Sequence, residues 1–157
     1  MSVPPSERYF EDYEVGVPEE FGAYEITERE IVEFATRYDP QSFHLDAEAS
    51  RDSIFGGLIA SGWMTAGVMM RLLCDHYVSK TSSMGSPGVD ELRWLQPVRP
   101  GDVLRVRITP TEARRSTSKP DRGVVKSFTE VLNQRGEPVM TVRSMGMYRC
   151  RDSAARS

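Results

Sequence analysis

The sequence predicts an α+β fold in which an antiparallel β-sheet wraps around one long central helix. Three observations lead there. The longest uncharged run, 54–70, opens on glycines and continues into a stretch that is apolar around most of a helical circumference. Most of the strand-like patterning follows it, in four segments bounded by Pro, Gly and Asn. Only one short strand and one short helix precede it. A sheet of that length with a single buried helix closes its core by curling round the helix.

The elements follow in order. Residues 1–20 read as an irregular arm, and Phe21 to Ile26 as a short strand. Thr27-Glu28-Arg29-Glu30 fits a capping box, with Thr27 as N-cap and Glu30 reaching back to the free amide. Ile31, Phe34, Ala35 and Tyr38 recur at i, i+3, i+4 and i+7, so Thr27 to Tyr38 is an amphipathic helix. Pro40 ends it, because the residue before a proline avoids the α region. Asp46 to Ser50 reads as one helical turn.

Ser61 to Val78 is the long helix, expected to be buried on nearly all sides, with Gly and Ala that let strands approach closely. The strands are Val89 to Val98, Asp102 to Glu112, Gly123 to Leu132 and Pro138 to Arg149. In the second, Leu104, Val106 and Ile108 share one face and Arg105 and Arg107 the other. Asn133-Gln134-Arg135-Gly136 is a hairpin turn between the last two. Val124/Val125 and Val139/Met140 put apolar residues on both faces. That predicts one face on the helix and part of the other on a second subunit.

At 157 residues and 39% apolar, the chain reads as one domain, 1–157, with an irregular N-terminal arm and a short C-terminal tail. Its 20 Lys+Arg against 23 Asp+Glu give a net charge of −3. Broad nucleic-acid binding needs a basic surplus to neutralise phosphates, so no nucleic-acid partner is expected. The N-terminal ten residues are polar and do not form a signal peptide. The run 54–70 is shorter than the ~20 apolar residues of a membrane span and contains Gly56, Gly57, Ser61, Gly62 and Gly67. The expectation is a cytoplasmic protein with no membrane partner. Two Cys (Cys74, Cys150) and two His (His44, His76) make neither a zinc motif nor a disulfide framework, so no metal is expected.

Two features could carry chemistry. Asp39-Pro40-Gln41-Ser42-Phe43-His44 places a carboxylate and an imidazole five residues apart. Pro40 forbids a continuous helix, and a turn there can aim both groups at one water, as a general acid–base pair. The same spacing also suits a turn capped by Asp39 with His44 as an ordinary loop residue. The second feature is Phe55-Gly56-Gly57-Leu58-Ile59-Ala60-Ser61-Gly62-Trp63, which enters the long helix. The first amides of a helix lack internal partners, and Gly62 has no side chain to keep a ligand oxygen from its N–H. That is oxyanion-hole geometry, or else simply tight packing of a core helix. His76, late in the helix, reads as a surface residue.

The block Tyr38-Asp39-Pro40-Gln41-Ser42-Phe43-His44-Leu45-Asp46, the glycine-rich segment through Gly62, and Trp94-Leu95-Gln96-Pro97-Val98-Arg99-Pro100-Gly101-Asp102 resemble the MaoC-like dehydratases, which include the (R)-specific enoyl-CoA hydratases. The resemblance covers roughly residues 8–150. The family motif is D-x-N-P-[LIV]-H-x5-[AS]. Asp39 and His44 match its catalytic positions and Ser50 its final small residue. Gly62 matches the glycine whose amide holds the substrate carbonyl. Gln41, Ser42 and Phe43 replace the motif's Asn, Pro and aliphatic residue, and Tyr38 its preceding Gly. Phe43 and Tyr38 are bulky enough to reshape the acyl pocket.

The resemblance implies a single hotdog fold that pairs into a homodimer. It implies hydration of a trans-2-enoyl-CoA to an (R)-3-hydroxyacyl-CoA with Asp39 and His44 on the water and Gly62 on the thioester oxygen. No cofactor is implied, since CoA arrives with the substrate. Gln41, Phe43, Ala60, Ser61 and Trp63 are the candidate substrate contacts. Arg115 belongs to a basic loop with Arg114, Lys119 and Arg122 that either meets CoA phosphates or is a solvated hairpin. Two other readings stay open. A hotdog thioesterase would need a carboxylate in or near the central helix, and 54–70 has none. A non-catalytic acyl-CoA-binding subunit would keep the fold without turnover.

Overall fold

The computed structural model describes residues 3–154. Its order is β1 (Glu19–Glu25), α1 (Glu28–Tyr38), a one-turn α2 (Ser42–Leu45), α3 (Gly62–His76), β2 (Val89–Trp94), β3 (Val103–Arg115), β4 (Arg122–Leu132), β5 (Pro138–Arg149) and a terminal turn α4 (Arg151–Ala154). The strands form one antiparallel sheet in the order β1-β3-β4-β5-β2. This is the α+β hotdog arrangement, a sheet curled on one helix.

The pattern of β3 explains how the core closes. Leu104, Val106 and Ile108 alternate inward and are buried, while Arg105 and Arg107 face outward and pair with Glu20 and Glu130. Facing them from α3 are Met64, Val68, Leu72 and Leu73, all buried at helical spacing. Thr27 caps α1, with Glu30 N–H donating to its hydroxyl at 3.2 Å. The turn at 133–136 forms as expected, with the Gly136 amide donating to the Asn133 carbonyl at 3.0 Å.

Several expectations change. The N-terminal arm is not irregular throughout: single 3₁₀ turns occupy Pro5–Glu7 and Phe10–Asp12, and β1 begins at Glu19 and ends at Glu25. Arg8 pins the arm, buried and paired with both Glu19 oxygens at 2.6 and 2.8 Å. The helical turn expected at Asp46 to Ser50 lies instead at Ser42–Leu45, with a 3₁₀ turn at Ala49–Asp52. The Asp46 carboxylate accepts the amides of Glu48 and Ala49, which caps that turn and keeps Asp46 out of it. The C-terminal tail starts with α4, and its last residues, 155–157, lie outside the described residues.

The central helix is not buried on nearly all sides. The sheet covers one side of α3; Trp63, Gly67, Met70 and Cys74, at i, i+4, i+7 and i+11, form an exposed stripe on the other. Gly67 faces open space. The close approach expected of a helix glycine occurs at Gly62, against the Trp94 side chain of β2, and a strand glycine makes a second one. At Gly22 of β1, φ is +91° and a Cβ would stand 2.8 Å from the Leu72 side chain. The two faces of Val139 and Met140 are both covered within the chain, where segment 95–96 bonds back to the Val139 carbonyl. No helix among the described residues is long and apolar enough to cross a membrane.

Candidate active site

Asp39 is the C-cap of α1, its amide donating to the Ala35 carbonyl at 2.9 Å. Its φ of −152° turns the chain out of the helix before Pro40. The chain then winds one turn into α2, which carries His44. The two side chains converge, with His44 Nε2 3.3 Å from Asp39 Oδ2. His44 is buried, and its Nδ1 lies 2.7 Å from the Ile59 carbonyl. A carbonyl only accepts, so Nδ1–H donates to it and Nε2 is the ring nitrogen turned toward Asp39.

The carboxylate is held from both sides. Gln41 Nε2 donates to Oδ1 at 2.6 Å and Ser61 Oγ donates to Oδ2 at 2.7 Å. These bonds and the neighbouring His44 favour the ionised form. With Gln41 the largest cause, they hold the Asp39 carboxyl below the usual range against a desolvation that pushes it up. Asp39 sits at the negative end of α1, which by itself favours the protonated acid, and the direct donors outweigh it.

Ser61 does two things at once. It is fully buried, and its hydroxyl also accepts the Trp63 amide at 3.2 Å as the N-cap of α3. Gly62 is thus the first residue of α3, where its N–H has no acceptor within the helix. Asp39, His44 and Gly62 line one cavity of about 460 Å³. Its apolar walls come from Phe43, Phe55, Ile59, Val98, Trp63 and Trp94. The Ala60 amide donates to the Val98 carbonyl at 2.8 Å, which fixes the entry to α3 against the chain beyond β2.

The candidate residues thus separate. Asp39, Gln41, Phe43, His44, Ala60, Gly62 and Trp63 meet at this cavity. Ser61 does not line it and acts through Asp39 and the helix cap. Arg115 lies at the far end of β3, bonded to the Pro120 carbonyl and Asp152, beside a separate basic cleft with Arg114 and Lys126. Tyr38 also stays out of the cavity: it is exposed, with its ring tilted against Phe34 and covered by the Arg37 guanidinium. The sequence reading missed the Ile59 carbonyl, Phe55 and Trp94. Phe55 and Ile59 lay inside the glycine-rich segment and Trp94 at the head of the family-like segment, but no pattern there assigned them to the site. Among the described residues no group of three His, Cys, Asp or Glu side chains could hold a metal.

A curled sheet on one helix, with a carboxylate–imidazole pair at the helix entry, defines the class. The chain belongs to the MaoC-like family: the family model described as MaoC like domain matches residues 14–131. It is similar in structure to the MaoC-like dehydratase from Rhodospirillum rubrum, with a TM-score of 0.86, 41% identity, and 92% of this chain and 98% of that one covered. In sequence it is 32% identical to the 3-hydroxybutyryl-CoA dehydratase of Methylorubrum extorquens over 66% of this chain and 64% of that protein. It is 31% identical to Protein MaoC of Klebsiella aerogenes over 76% of this chain and 35% of that protein. The chain therefore spans about a third of the Klebsiella protein and under two thirds of the dehydratase.

Proposed function

We propose that this protein is a lyase that reversibly adds water to a trans-2-enoyl-CoA to give an (R)-3-hydroxyacyl-CoA. The observation that carries the reading is the convergence of Asp39 and His44 at 3.3 Å on a cavity shared with Gly62. In the hydration direction a water binds beside the pair, within reach of both the carboxylate and Nε2. The imidazole lone pair receives its proton as the oxygen attacks C3, while ionised Asp39 orients the water. The electrons move through C2 to the thioester oxygen, where the Gly62 N–H stabilises the enolate. The pair then returns the proton to C2 on the same face. Protons balance within the pair, so this acid–base route uses neither a metal nor a redox cofactor.

The uncovered surface supports a homodimer. The exposed Val89, Trp94 and Leu95 lie at and just beyond the edge strand β2, and the Trp94 ring meets Trp63 of the α3 stripe. An apolar patch continuous with an unpaired strand edge fits a second copy of the same chain.

The test is the loss of enoyl absorbance from crotonyl-CoA. The wild type is expected to consume it, and Asp39→Asn and His44→Ala to lose about 10²-fold or more. Full activity in both variants overturns the mechanism. Release of free thiol instead identifies a thioesterase. Binding of CoA esters without turnover identifies a non-catalytic subunit.

A further inference from the structure

Trp94 entered the sequence analysis only as the first residue of a family-like segment, with no role in the site, yet it touches the centre of the site. Its indole lies directly on Gly62. A Cβ built there would stand 2.3 Å from both Cε2 and Nε1, and 2.8 Å from Cδ2. The ring is about half exposed, and two contacts position it. Its backbone pairs with Met140 in the sheet, and Trp63 meets it edge-on with centroids 5.0 Å apart. Both indoles line the cavity that contains Asp39 and His44.

We propose that Trp94 selects the substrate by excluding acyl groups branched at C2. The argument rests on the reading of Gly62 as the amide that receives the thioester oxygen. An oxygen accepted by that N–H stands about 2.9 Å from the nitrogen. C2 is then only two bonds further on, in the space that the indole borders. A straight chain leaves along the cavity toward Phe43 and Phe55, which pack on each other at 5.3 Å. A methyl on C2 has to point across the chain, and where it meets the indole the ring cannot withdraw without breaking its contact with Trp63. Trp94 is therefore a specificity residue; it donates no proton and holds no charge in the reaction.

Butyryl-CoA and isobutyryl-CoA test this without turnover, because they are isomers that differ in the placement of one methyl. Calorimetric titration of the wild type is expected to show butyryl-CoA bound about 10-fold or more tighter, the range one methyl commands in a shaped pocket. In Trp94→Ala the ratio is expected to fall close to one, while butyryl-CoA still binds. Trp94→Phe, which keeps an aromatic ring and guards against a folding defect, is expected to be intermediate. An unchanged ratio in Trp94→Ala overturns the proposal, as does a wild type that binds the two esters equally or binds neither. Crotonyl-CoA consumption, measured in parallel, reports the hydratase reading separately. A ratio that shifts without turnover refutes that reading alone, and turnover with an unshifted ratio refutes the Trp94 role alone.

Discussion

The character of the Asp39 carboxylate is set by the side chains around it. Ser61 and Gln41 hold its two oxygens, and both donors favour the carboxylate over the acid. Their contribution to stability has a definite sign. A carboxyl depressed in the folded state stabilises the fold above its unfolded pKa of ~3.9, and that gain is lost as pH falls through the lower folded value. For the same reason the acid limb of kcat/KM that reports Asp39 is expected below the ordinary carboxylate range. Gln41→Leu removes the bond that lowers the carboxyl most, so the limb is expected to move to higher pH and the melting temperature at neutral pH to fall slightly. Ser61→Ala is expected to move it in the same direction and also to cost about 1 kcal/mol of stability through the lost helix cap, read in a urea titration. Asp39 and His44 were legible as a pair because five residues and a proline confine them. Ser61 and the Ile59 carbonyl were not, because they meet the pair only after α3 docks beside α1.

The site is a meeting of element ends: the C-terminus of α1, the single turn of α2 and the N-terminus of α3. The two longer helices were readable, since α1 carries a cap and a repeating apolar face, and α3 a long uncharged run. The turn of α2 escaped because four residues show no periodicity, and bonds to Ile59 far along the chain hold it: His44 Nδ1 to the Ile59 carbonyl and the Ile59 amide to the Phe43 carbonyl. The placement of α3 depends in turn on β1, where Gly22 lets Leu72 sit against the strand backbone. Gly22→Ala would force a Cβ into that side chain at a positive φ that alanine disfavours. The expected loss is about 1–3 kcal/mol, seen as a lower denaturation midpoint with the same slope.

In the whole molecule, one side of the core is left uncovered. The sheet wraps α3 on one side, and the opposite stripe, together with the region around the edge strand β2, stays apolar and exposed. Met70, 46% exposed at the middle of that stripe, is the position that separates a surface from an interface. Met70→Glu puts a charge there, and burying an unpaired carboxylate costs several kcal/mol. Sedimentation is expected to show a dimer for the wild type and a monomer for Met70→Glu. A wild type that sediments as a monomer refutes the homodimer.

The sequence by itself determined the fold class, the order of its main elements and the identity of the Asp39–His44 pair. Each of these is written in local patterns: alternation in β3, helical spacing in α1, an uncharged run in α3, and a proline between two reactive groups. Only the tertiary structure decided which groups hold that pair, which aromatic rings border Gly62, and which side of α3 the sheet leaves bare. Those depend on contacts between residues far apart in the chain, such as Asp39 with Ser61 and Gly62 with Trp94. Side-chain volume and hydrogen-bond direction select such contacts only once the backbone has brought the elements together.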